Sequence, residues 1–175
     1  PALVNPIMGG SDLVLGCYRR SAYAAALTDN LVYPFLRTFF NADIREPLAG
    51  EFALSGELAG ELANRDVWET DVARFGINIW VTVQGLVEDR RIAQVDLAYR
   101  GDGSGDPGAL GDARFGHMVG TLFRTLTVHR RIWQRQLPLR RPAFHGGRSP
   151  DLAAPSSDCD AALVEAFFAA REEYT

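Results

Sequence analysis

The run Asp12-Leu13-Val14-Leu15-Gly16-Cys17-Tyr18 is apolar almost throughout and follows Gly9-Gly10-Ser11. An apolar run behind turn residues predicts a buried strand, which delivers Tyr18, Arg19 and Arg20 at its C-terminal end. From about Ser21 to Phe40 the period changes: Ala24, Leu27, Leu31, Phe35 and Phe39 recur at helical spacing. Pro34 inside that pattern predicts a kink or a new helix start. A turn-rich loop over 45–51 and a short strand at Phe52-Ala53-Leu54 come next. Ser55 is suited to cap a helix reaching about Asn64, with Glu57 in its first turn, and 71–76 reads as a connection.

The stretch Ile77 to Val87 fits two periods. Its β-branched residues favour a strand, whereas Ile79, Val83, Leu86 and Val87 share one helical face. Arg91 to Tyr99 alternates apolar with polar and predicts a strand. The glycine-rich stretch 100–111 predicts a loop. A long amphipathic helix follows, with Phe115, Met118, Leu122, Phe123 and Leu126 expected on its inner face. Residues 142–157 are expected to be mobile, and a last helix runs over about 160–173. This succession of strands and helices belongs to the α/β or α+β class.

Composition narrows the class of protein without naming an activity. About half of the chain is apolar and its net charge is −4, which disfavours a general nucleic-acid binder. No apolar run is long enough to span a bilayer and the N-terminal stretch does not read as a signal peptide, so a cytoplasmic setting is expected. Cys17 and Cys159 stand too far apart in sequence to suggest a disulfide framework or a metal knuckle. All 18 basic residues are arginine, which removes lysine-based chemistry. The chain opens on Pro1 and its last residues, Glu172-Glu173-Tyr174, stop in a helical pattern, which predicts a segment of a longer protein.

Four blocks, in order, carry a family resemblance. They are Val14-Leu15-Gly16-Cys17-Tyr18-Arg19-Arg20, Glu46-Pro47-Leu48-Ala49-Gly50-Glu51-Phe52, Arg74-Phe75-Gly76-Ile77-Asn78-Ile79-Trp80, and Ile92-Ala93-Gln94-Val95-Asp96-Leu97 through Arg100. Together they resemble the glucosyl-3-phosphoglycerate synthases and mannosylglycerate synthases, retaining glycosyltransferases of the GT-A fold. The resemblance covers roughly Asp12 to Leu126. It implies a Rossmann-like α/β fold, a mixed sheet with flanking helices, in which residues 1–135 form the acceptor side of the domain. Residues 136–158 would then be a mobile linker and 159–175 a C-terminal helix, with the donor-binding half upstream.

The resemblance also implies site residues. Gly50 and Glu51 would line the acceptor site with Thr28 nearby, and Tyr18 and Arg19 would sit at the ligand-binding edge of the sheet. Asn78 and Glu51 would take the catalytic positions, and Asp102 would ligate Mg²⁺ or Mn²⁺. The partners would be a nucleotide-diphosphate sugar and a small hydroxylated acceptor, without nucleic acid or membrane; a homodimer is compatible with this. A Gly-rich turn before a carboxylate lets backbone N–H groups approach a small polar acceptor. The plainer alternative is a loop-to-strand turn with a solvated Glu51, and Asp102 is equally readable as a turn residue among glycines.

Three departures from the family pattern bear on the acceptor and on the chemistry. Asn78 stands where the family has an acid, and Asp102 where it has a metal-ligating His. Ala25-Ala26-Leu27-Thr28 stands where phosphoglycerate-using members have Gly-Arg-Val-Thr. Without that arginine a strong phosphate contact is lost, so 3-phosphoglycerate is not the expected acceptor. A catalytically inactive relative serving as a binding module is the competing expectation.

Other features read more plainly. Seven arginines and no acid lie between Arg124 and Arg148. They form either an anionic contact or a solvated face. His117 and His129, twelve residues apart, do not share a helical face. Of Trp68, Trp80 and Trp133, only Trp80 stands beside a candidate site residue, Asn78.

Overall fold

The computed structural model describes residues 1–19, 25, 27–48, 50–99, 112–135 and 137–147. A four-stranded mixed sheet organises them, in the order β2-β1-β3-β4. β1 (Leu13–Arg19) is the predicted buried strand; its first five residues are buried. β3 (Ile92–Tyr99) runs parallel to it, with Leu13 opposite Ile92 and Leu15 opposite Gln94. β2 (Phe52–Leu54) lies antiparallel on the other side of β1. The chain is an α/β fold with helices flanking an open sheet.

The segment expected to be a mobile linker contributes the fourth strand. β4 (Ala143–His145) pairs parallel with β3, setting Phe144 opposite Gln94. Three residues between Pro142 and Gly146-Gly147, exposed at alternate positions, carry too little pattern to be read as a strand, and it is pairing with β3 that makes them one. Residues 136 and 148–158 of that segment, and the expected last helix, lie outside the described residues.

The helices follow the periodicity with informative exceptions. α1 (Val4–Met8), a single turn holding Pro6, has no readable period. A π-helical turn, Thr28–Val32, runs into α2 (Tyr33–Phe40), so Pro34 occupies the first turn of an α-helix as a helix start requires. α3 (Gly56–Ala63) is capped as expected, the Ser55 hydroxyl accepting from the Leu58 N–H at 3.2 Å.

α4 (Ile77–Val87) resolves the ambiguous stretch as a helix buried on all sides: every residue from Ile79 to Leu86 is buried. All-round burial erases the amphipathic signal, which is why its pattern fits two periods. One side packs on the sheet so closely that a Cβ on Gly85 would sit 2.9 Å from Leu13 Cδ2. The opposite approach is to α5 (Asp112–Val128), where a Cβ on Gly76 would lie 2.8 Å from Thr121 Cβ. The inner face of α5 is the expected one only in part, through Met118 and Leu122. Met118, Thr121, Leu122 and Thr125 are buried, whereas Phe115 and Phe123 are exposed. α6 (Arg130–Trp133) returns Trp133 to the edge of Phe39, with ring centres 5.3 Å apart.

Among the described residues, three apolar clusters form the core. The largest joins Leu13 and Leu15 of the sheet to α2, α3 and α4. The second joins Val32, Ile79, Met118 and Leu122. The third lies where Val14, Ala93 and Val95 meet Leu3 and Ile7 around α1. Among the described residues, no helix is long and apolar enough to cross a membrane.

Candidate functional site

Because β1, β3 and β4 are parallel, their C-terminal ends share one edge of the sheet, where open α/β sheets bind ligands. Arg19 stands there, 3.5 Å from the carboxylate of Asp96. Asp96 is nearly buried, at 9% side-chain exposure, and also accepts from the Ala98 N–H at 2.8 Å. Ala98 is held at φ 69°, a left-handed value uncommon for a residue with a Cβ, beside the register shift between Cys17 and Arg19. Asp96 was not singled out from the sequence. The available signal was an ionisable residue inside an otherwise alternating strand.

Glu51 reaches the same edge through the backbone. Its carbonyl accepts the Gly16 N–H at 2.9 Å, which puts Glu51 beside Gly16, one residue before Cys17. Gly50 has φ 87° and a Cβ there would touch nothing within 4 Å. The glycine is therefore required by conformation and not by space, as a turn that redirects the chain before Glu51 demands.

The loop that carries these residues is fastened from below. Gln94, buried at 4% exposure, accepts the Arg45 N–H at 2.8 Å and donates from Nε2 to the Asp43 carbonyl at 3.2 Å. Its Oε1 also lies 3.6 Å from Cys17 Sγ. Asp43 accepts from Tyr33 Oη at 3.1 Å and pairs with Arg45 at 3.0 Å, while the Arg45 guanidinium lies over the Tyr33 ring at 5.0 Å. On the far side the Asp43 N–H donates to the Arg140 carbonyl at 2.8 Å. Burial pushes the Cys17 thiol up to about 12, with the neighbouring Glu46 carboxylate adding to the effect. Such a thiol is no nucleophile at neutral pH. Burial likewise raises the Tyr33 phenol.

Thr28 and Asn78 each adjoin in sequence a residue of the second apolar cluster or packed against it. Leu27, which precedes Thr28, and Leu48, in the loop leading to Gly50, pack against the cluster that contains Ile79, which follows Asn78. Thr28 itself is buried at 5% exposure. The expected residues thus fall into two groups, Tyr18, Arg19, Gly50 and Glu51 at the sheet edge and Thr28 with Asn78 beside the second cluster. The loop 46–51 joins the groups. Asp102 lies outside the described residues.

Beside the start of α4 stands a polar group that the sequence left scattered. Arg74 Nη1 lies 3.3 Å from His117 Nε2, and Asp71 Oδ1 lies 4.0 Å from the same nitrogen. A guanidinium can only donate, so in the Arg74 contact Nε2 is on the accepting side. Phe75 stacks on that ring at 5.9 Å. His129 is separate: its Nε2 lies 3.2 Å from Gln84 Nε2, and burial lowers its pKa. Trp80 is a core residue at 6% exposure, edge-on to Trp68 at 5.8 Å, which accounts for it by packing alone.

A cavity of about 450 Å³ opens between α1 and the ends of β3 and β4, with Asn5, Ser11, Asp96 and His145 in its wall. Carboxylate, amide, hydroxyl and imidazole groups of this kind suit a small hydroxylated molecule. Among the described residues, no group of three or more His, Cys, Asp or Glu side chains could hold a metal ion. Scans of the sequence against protein-family models and against curated proteins return no match.

Proposed function

We propose that this chain forms the acceptor side of a retaining, nucleotide-sugar-dependent glycosyltransferase of GT-A type, acting in the cytoplasm. It would transfer a hexose to a small hydroxylated acceptor of glycerate type. The observation that carries the reading is the coincidence of motif and position. The four resembling blocks correspond to a strand end, the loop turning at Gly50, the start of α4 and the strand β3, around one sheet edge. In this reading Glu51 accepts a hydrogen bond from the acceptor hydroxyl, and Asn78 orients the reacting groups at the start of α4. Thr28, Tyr18 and Arg19 contribute to substrate binding, with Arg19 held in place by Asp96. Mg²⁺ or Mn²⁺, with Asp102 among its ligands, belongs to the same proposal as the group that neutralises the departing diphosphate.

The residue-level test is kinetic. Glu51→Gln removes a charge-assisted hydrogen bond, so the acceptor KM rises by about 10- to 100-fold while the donor KM stays unchanged. Asp102→Ala abolishes metal-dependent transfer, and full activity in that variant overturns the metal assignment. A second reading, an inactive relative acting as a binding module, is favoured by one observation: the start of α4 carries the neutral amide Asn78 where the family has an acid. Partner binding without any transfer or hydrolysis of nucleotide sugar would support it.

A further inference from the structure

The seven arginines between Arg124 and Arg148 have no acid among them, and the proposed transfer uses none of them. Two of these, Arg140 and Arg141, fold back to the edge of the sheet opposite Arg19 and Glu51, where β3 and β4 begin. There they meet Arg90 and Arg91 of the α4–β3 turn, and the four arginines line a cavity of about 460 Å³. Asp89, at 93% side-chain exposure, is the one carboxylate in that wall among the described residues.

The four guanidinium groups are held in two ways. Arg90 pairs with Glu57, Glu61 and Glu88, none of which lines the cavity. Arg140 donates to the Leu86 carbonyl at 2.7 Å and the Arg90 carbonyl at 3.2 Å, and pairs with Asp89 at 2.8 Å. Those bonds occupy carbonyls at the end of α4, whose partial negative charge would otherwise oppose an anion. Arg91 and Arg141 are freer. Their side chains are 73% and 74% exposed, and their contacts to Asp12 and Asp43 are long, at 3.5 and 3.9 Å. Exposed pairs of this kind hold their members weakly, so both guanidinium groups can turn to a ligand.

The geometry points to a second binding site in this cavity, one that takes the phosphate or diphosphate group of a small molecule. Arg91 and Arg141 grip the anion, and Arg90 and Arg140, already paired with carboxylates, form the fixed wall behind it. Guanidinium forks match the paired oxygens of a phosphate, and a multiply charged anion can engage two forks at once. At about 460 Å³ the cavity has room for a small phosphorylated molecule. This inference is independent of the glycosyltransferase reading, because it uses the opposite edge of the sheet.

The test is calorimetric titration of the full chain with pyrophosphate and, separately, with inorganic phosphate, at ionic strength fixed with sodium chloride. The wild type binds at least one of them at a single saturable site, and pyrophosphate binding alone would mark the site as one for diphosphates. Binding weakens at least tenfold in Arg91→Gln/Arg141→Gln, whose melting temperature stays close to wild type, since both side chains are exposed. If the double variant is destabilised, Arg141→Gln alone reports the same loss in smaller measure. Glu51→Gln leaves the binding unchanged. Absence of saturable binding by the wild type to either anion, or equal affinity in the arginine variants, overturns the proposal.

Discussion

Gln94 holds the candidate acceptor loop to the sheet, and replacing it with Leu isolates that function. The side chain is buried in β3 and satisfies two backbone groups of the loop, the Arg45 N–H at 2.8 Å and the Asp43 carbonyl at 3.2 Å. Leucine has a similar volume, so little cavity is created and the loss is mostly polar. Each stranded backbone group costs about 1–3 kcal/mol if it stays buried. The loop can lift partly into water, which softens the sum to about 2–3 kcal/mol, or roughly 5–10 °C in melting temperature. Urea unfolding measures the energy. Amide hydrogen exchange at Arg45 measures the cause, and its protection should fall well before global unfolding. Gln94→Glu gives a second signature, because a carboxylate set against the Asp43 carbonyl repels it until protonated. That variant should recover stability relative to wild type as pH falls from 7 to 5. A Gln94→Leu protein within about 0.5 kcal/mol of wild type, the scatter of unremarkable substitutions, would refute the reasoning.

Three further outcomes follow from contacts elsewhere in the fold. Gly76→Ala should cost about 2 kcal/mol or more in urea unfolding, because its Cβ would lie 2.8 Å from Thr121 Cβ and 3.0 Å from the Asp71 carbonyl; a neutral result would show that α4 and α5 are less closely packed. Burial holds His129 below its ordinary value of 6.5, so the unfolded chain binds this proton more readily. Its contribution is therefore complete above the unfolded value and is lost as pH falls through the folded one, and His129→Gln should flatten the stability profile below pH 6.5; an unchanged slope would contradict this. In a Cys159→Ser variant, the Cys17 thiol, pushed up to about 12 by burial, should react with a disulfide reagent at pH 7.5 only at the rate of unfolding.

Much of the frame was legible because its signals are local in sequence. β1, β3 and α3 announce themselves through a continuous apolar run, an alternating strand and a Ser55 cap. The elements that escaped are those whose local pattern is silent. β4 and α1 are too short for a period, whereas α4, buried all round, did not escape but fitted strand and helix alike. On α5 the large aromatics look like core, yet Thr121 and Thr125 face α4 because a close helix contact at Gly76 leaves room only for small side chains. The site was legible only in part. Gly50 and Glu51 stood out as a turn before a carboxylate, while Gln94, Asp96 and the Asp71–Arg74–His117 group acquire meaning from partners distant in sequence.

The most direct test of the glycosyltransferase reading is transfer itself. The native protein is incubated with UDP-glucose or GDP-mannose, Mn²⁺ or Mg²⁺, and a panel of glycerate-type acceptors, and the product is followed by proton NMR. The account predicts a glycoside whose anomeric configuration matches that of the donor sugar. An inverted product would contradict the retaining assignment, and neither transfer nor donor hydrolysis with any combination would contradict the enzyme reading as a whole.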